Sequence, residues 1–223
     1  MANNPEGLFH QRNSISLGPI ATSRDELIAL TKAWAAISFA FAILLSGSVF
    51  SPGFLFLFAV SGFTVGLGFI FHEVAHKLVA QRFGCSAEFR SFDSMLLFAV
   101  LMSFFGFLFA APGAVMISGP VGKARNGKIS AAGPLTNILL AALFGVLAIT
   151  QSNPGIRAFA SYGMQINSWL ALFNMIPFWN FDGKKVLEWS KPLYFIIVGI
   201  SVLLVWAKGI FSFFGISIEG VPL

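Results

Sequence analysis

Read for hydrophobic and polar positions, the chain divides into long apolar runs separated by short charged or turn-forming stretches. Uncharged stretches of roughly spanning length cover 33–50, 54–71, 95–121, 129–156 and 158–181, and a further one runs from 192 past 207. Ser23-Arg24-Asp25-Glu26 has the form of a capping box, so a helix is expected to start there and run into the first span. Ser51-Pro52-Gly53 is a tight turn that makes the first two spans an antiparallel hairpin, and Gly84 is placed to end the second helix as a left-handed cap. The stretch from Pro112 to Ser130 reads as turns joined by short β segments, Pro134 as the first turn of the next helix, and Pro177 as a helix break.

These elements predict an all-α polytopic membrane protein. It has five or six transmembrane helices, and a short β-hairpin or re-entrant element lies between the second helix and the core helix that follows. Composition agrees: 57% of residues are hydrophobic, 10% are charged and mean hydropathy is +0.82, which excludes an ordinary soluble domain. Residues 1–31 form a polar arm and the start of the first helix, with Ile15 to Ile20 a short strand or surface arm. Residues 32–223 form a single membrane-embedded domain with its core at about 54–190. No internal repeat or appended soluble domain is visible, and the first thirty residues lack the apolar core of a signal peptide. Cys85 is the only cysteine and takes no role.

The net charge of +5 does not indicate nucleic acid, because the positive residues are scattered through loops and report topology instead. If 95–111 re-enters rather than crosses, twelve of the fourteen Lys and Arg share one side against Arg157 and Lys208. The positive-inside rule makes that side the cytoplasm. A plain sixth span would weaken the asymmetry.

The chemistry concentrates at the end of the second apolar run, in His72-Glu73-Val74-Ala75-His76. Histidines four apart on a helix share a face and can converge on one ion, and the glutamate between them can reach a metal-bound water as general base. Two of the three histidines and one of the six glutamates fall in these five positions, beside an apolar helix where ionisable groups usually mark function. His10 reads as solvated. Catalytic zinc typically takes three protein ligands. Asp182, ending a run uncharged since Arg157, is favoured as the third over a mere helix cap. Glu188 and Glu219 are weaker candidates. Asn137 is either an interhelical hydrogen-bonding residue or a donor to substrate or oxyanion.

His72-Glu73-Val74-Ala75-His76, Ala132-Gly133-Pro134-Leu135-Thr136-Asn137 and the set Asn174, Pro177, Asp182, Gly183 together resemble the site-2 protease family of intramembrane zinc metalloproteases, over about 54–190. The resemblance implies one Zn2+ per chain held by His72, His76 and Asp182, with Glu73 as base and Asn137 and Asn174 positioning substrate. The substrate it implies is a transmembrane protein cleaved within or near a helix; Lys77 and Arg82, close behind His76, place the metal near the cytoplasmic face. The form is compact, without PDZ or CBS modules, and 95–111 lengthens the connection after the metal helix. Oligomeric state is not readable. The competing readings are another membrane H-E-x-x-H protease with a glutamate as third ligand, a metal transporter, and an inactive metal-binding scaffold. Transport is disfavoured because the ionisable groups cluster at one end.

Overall fold

The computed structural model describes residues 14–17, 20–107, 112–178 and 180–213. The expectations placed on His10, Glu219 and the tail after 214 lie outside them. Two short strands, β1 (Ser14–Leu17) and β2 (Ile20–Ser23), pair antiparallel and lead into helix α1 (Arg24–Ser46). Ser23 caps α1 by accepting the Glu26 N–H at 3.1 Å. The capping box is only half formed, because the Glu26 carboxylate turns inward to other partners. Gly47, with φ 71°, closes α1 in the left-handed region.

The chain turns at 51–53 into one continuous helical rod: α2 (Phe54–Ser61), a π turn (Gly62–Gly66) and α3 (Leu67–Arg82). In the π turn the Leu67 N–H reaches back five residues to the Gly62 carbonyl, which also accepts Trp34 Nε1 at 3.0 Å. A Cβ at Gly62 or Gly66 would strike Trp34, so these glycines let α1 approach the rod closely. Gly84, at φ 74°, follows α3 as expected.

Strand β3 (Ser86–Ser91), helix α4 (Asp93–Ser103) and strand β4 (Gly113–Ser118) come next. The strands pair antiparallel from Ser86 opposite Ser118 to Ser91 opposite Gly113, so the chain leaves and returns at the same place. The 11 residues of α4 rise about 16 Å, well short of the bilayer's apolar core of about 30 Å. The apolar block 95–121 is therefore not one helix. Residues 108–111 fall outside the described set. Lys32 pairs with Asp93 at 2.7 Å, docking α4 on α1 and holding the Asp93 carboxyl below the usual carboxylate range.

Helices α5 (Lys123–Thr150), α6 (Pro154–Asn174), α7 (Asp182–Trp189) and α8 (Lys191–Phe213) complete the fold. Three expectations need correction here. Residues 127–130 are helical rather than β, because Gly127 is needed where α5 meets the Trp189 side chain, not as a turn. Pro134 lies well inside α5 instead of in its first turn. The break between α5 and α6 falls at 151–153 rather than at Arg157, since Asn153 caps α6 through the N–H groups of Gly155 and Ile156 and Pro154 occupies its first turn.

Among the described residues, three helical segments are long and apolar enough to cross a membrane: Arg24–Ser46, Phe54–Arg82 and Lys123–Thr150. Large apolar side chains such as Leu55, Phe56, Leu139 and Phe195 face outward, as in a bundle solvated by lipid. Inside, Ala29, Ala33, Ile37, Val65, Phe69 and Phe89 join α1, the rod and β3 in one core. The Trp34→Phe variant leaves the second Gly62 acceptor site empty and is expected to cost about 1–3 kcal/mol, read as a lowered thermal midpoint in detergent.

Candidate metal centre

Spacing on α3 puts the His72 and His76 rings edge to face with centroids 4.6 Å apart and their Nε2 atoms 3.0 Å apart. Asp182 comes from a separate element, as the first residue of α7. Its Oδ2 lies 3.3 Å from His72 Nε2 and 3.0 Å from His76 Nε2. It makes no capping bond to its own helix, so the carboxylate is turned toward the histidines instead. Gly183 makes this possible, because a Cβ there would fall on the Met175 carbonyl where α7 packs against the end of α6. All three residues are buried.

The tautomers follow from the partners on the other ring nitrogens. A carbonyl only accepts, so His76 Nδ1 donates to the Ile129 carbonyl at 2.8 Å and leaves an Nε2 lone pair facing the shared space. His72 Nδ1 donates to Asn137 Oδ1 at 2.6 Å. Asn137 is held in that orientation because its Nδ2 donates to the Gly68 carbonyl and to Asn167 Oδ1, both at 3.1 Å. Asn167 in turn donates to the Gly163 carbonyl at 2.9 Å. Two imidazole lone pairs and a carboxylate thus converge with no donor among them, an arrangement that fits a cation. The ligand atoms lie within 4.8 Å of one another. Two nitrogens and one oxygen suit zinc, whereas calcium and magnesium prefer oxygen alone.

Gly133 on α5 faces the same space. A Cβ built there would lie 2.5 Å from both Nε2 atoms, so only glycine leaves this cradle open. Glu73 lines the same cavity, of about 600 Å³, together with β4 residues 113–117, Asn174 and Lys185.

His72, Glu73, His76 and Asp182 are therefore brought together. Asn137 reaches the site too, but its oxygen and both described amide contacts are taken up by His72, Gly68 and Asn167 rather than left free for an oxyanion. Asn174 lines the cavity while donating to the Leu170 carbonyl. Glu188 is exposed and outside the group. Sequence reasoning named Gly133 within a motif but gave it no role, and it assigned nothing to Asn167 or the Ile129 carbonyl. The first two carry a readable signal, a glycine beside a proline and an asparagine in an uncharged run, whereas a backbone carbonyl carries none.

Over 186 residues the chain is 40% identical to "Putative zinc metalloprotease MJ0611" of Methanocaldococcus jannaschii, an alignment that spans 81% of this chain and 92% of that protein. The chain belongs to this zinc metalloprotease family. The name is one used within the site-2 protease family, the family that the motifs resemble. "Putative zinc metalloprotease Rip3" of Mycobacterium tuberculosis is 31% identical over 122 residues, 52% of this chain and 27% of that protein. "Putative zinc metalloprotease YwhC" of Bacillus subtilis is 25% identical over 150 residues, 58% of this chain and 68% of that protein. No protein-family model matches the chain, and no solved structure does. The relatives' names and the ligand cluster agree on zinc.

Two variants probe the metalloprotease centre. Gly133→Ala puts a methyl group in the cradle and is expected to purify with less than about a tenth of the wild-type zinc, as measured by elemental analysis. Asn137→Ala removes the partner of His72 Nδ1 and should weaken zinc binding about 10- to 100-fold in a chelator competition.

Proposed function

We propose that this protein is an intramembrane zinc metalloendopeptidase that hydrolyses peptide bonds within or near transmembrane helices of other membrane proteins. The observation that carries the reading is the convergence of His72, His76 and Asp182 on one space within an apolar bundle, with Glu73 on the wall of the same cavity. His72, His76 and Asp182 hold one zinc ion per chain. The bound ion supplies Lewis-acid chemistry, acidifying a water to a pKa of about 7 and polarising a carbonyl.

Glu73 accepts the proton of the attacking water and returns it to the leaving amide nitrogen. Asn137 keeps the His72 ring in register, and Asn174 contacts substrate from the cavity wall. A transmembrane helix has its amides already hydrogen-bonded, so it must unwind locally before attack. β4 offers replacement bonds. Its sheet has two strands, and its second edge, unpaired among the described residues, runs along the cavity. An extended segment could add there as a third strand.

The bundle is multi-pass, with α6 and α8 joining the three long segments to make five spans and α4 re-entering. The zinc lies near the cytoplasmic end. Arg82 ends α3, Lys123 opens α5, Lys184 sits on α7 and Lys191 opens α8, so the helix ends around the site carry the positive charge that the cytoplasmic side favours. A glutamate third ligand is less well supported than Asp182, given the exposure of Glu188.

Glu73→Gln keeps all three ligands and removes the base. It is expected to retain wild-type zinc and lose about 10²- to 10⁴-fold in cleavage rate. Undiminished cleavage in purified, zinc-loaded Glu73→Gln would strip Glu73 of its role.

A further inference from the structure

One buried ion pair sits beside the site and takes no part in the chemistry above. Lys77 follows His76 directly on α3 and was expected to be one of the twelve positive charges on the cytoplasmic side. It is instead 3% exposed and bonded to Glu26 Oε2, and Glu26 is 1% exposed. Burying two charges is costly unless their remaining polar atoms are also satisfied, and here they converge on Glu26. Its Oε2 also accepts the Thr22 hydroxyl at 2.7 Å, and its Oε1 accepts the Phe89 N–H at 2.9 Å. That N–H belongs to β3 and points away from β4, since Glu26 takes it from the outer edge. Neighbouring contacts reinforce the junction. Ser23 donates to Glu88 Oε1 at 2.6 Å, and Gln81 Nε2 donates to the Ala21 carbonyl at 2.9 Å. One carboxylate therefore joins the start of α1, the metal helix and the outer strand of the two-stranded sheet.

We infer that Glu26 is a substrate-positioning residue, which fixes the β3–β4 sheet so that the free edge of β4 stands at a set distance from His72 and His76. The inference rests on the proteolytic reading and extends it. The junction touches neither the ligand atoms nor the cavity, so its loss acts through the placement of extended substrate and not through zinc. A residue needed only for stability would lower the thermal midpoint without separating KM from kcat.

Glu26→Leu alone strands the Lys77 ammonium and can fail to fold, so the informative pair is Glu26→Gln/Lys77→Met and Glu26→Leu/Lys77→Met. Both are free of buried charge, but only the first retains an acceptor for the Phe89 N–H. The probes are zinc content, hydrogen exchange at 86–91 and 113–117, and cleavage of dye-labelled casein, an extended polypeptide, in detergent. Expected for Glu26→Leu/Lys77→Met are wild-type zinc, faster exchange in both strands and KM raised about three- to tenfold at little change in kcat. Glu26→Gln/Lys77→Met should recover most of the KM and the exchange protection. Equal exchange and equal KM in the two double variants would overturn the proposal, as would a loss confined to kcat or to zinc. Wild-type protein that leaves casein intact confines cleavage to membrane substrates without touching the proteolytic reading, and the exchange comparison then decides the junction alone.

Discussion

Imidazole lone pairs are hard to keep side by side in an apolar bundle, and much of this fold can be understood as the means of doing so. His72 and His76 face one another only because their outer nitrogens are held elsewhere, one by a backbone carbonyl of α5 and one by the Asn137 amide. Those partners require α5 to lie close against α3, which Gly133 permits by offering no side chain at the contact, while Gly68 leaves room for Asn167 of α6 to reach Asn137. The third ligand then needs a helix to begin inside the bundle. The chain supplies it by breaking after α6 and packing α7 on the broken end through Gly183.

The motifs that mark this arrangement were plain in the sequence because each encodes a local geometric demand. Spacing of four on a helix placed the two histidines on one face, and an aspartate ending an uncharged run after a proline had to be met by something. The start of α1, the turn at 51–53 and the cap at Gly84 were legible for the same reason: capping and turn chemistry act over a few residues.

What was not legible depended on distant neighbours. Gly127 looks like a turn residue until Trp189 is seen filling the space beside it. Pro134 looks like a helix start until α5 is traced back to Lys123. Lys77 counted as a surface charge because its partner Glu26 lies 51 residues away in the chain, beyond the reach of any local pattern. Asn137 read as a choice between interhelical hydrogen bonding and chemistry, and its contacts decide for the first: it bonds Gly68 and Asn167 and holds the His72 ring.

The π turn at Gly62–Gly66 has a geometric meaning of its own. Accommodating one extra residue in a single turn rotates everything downstream by about 100° relative to an uninterrupted α-helix. The half of the rod before the turn and the half after it are thereby uncoupled in azimuth: Leu55 and Phe56 look outward from one, while His72 and His76 look inward from the other. Trp34, bonded to the Gly62 carbonyl, works as the index pin that keeps this angular offset from relaxing.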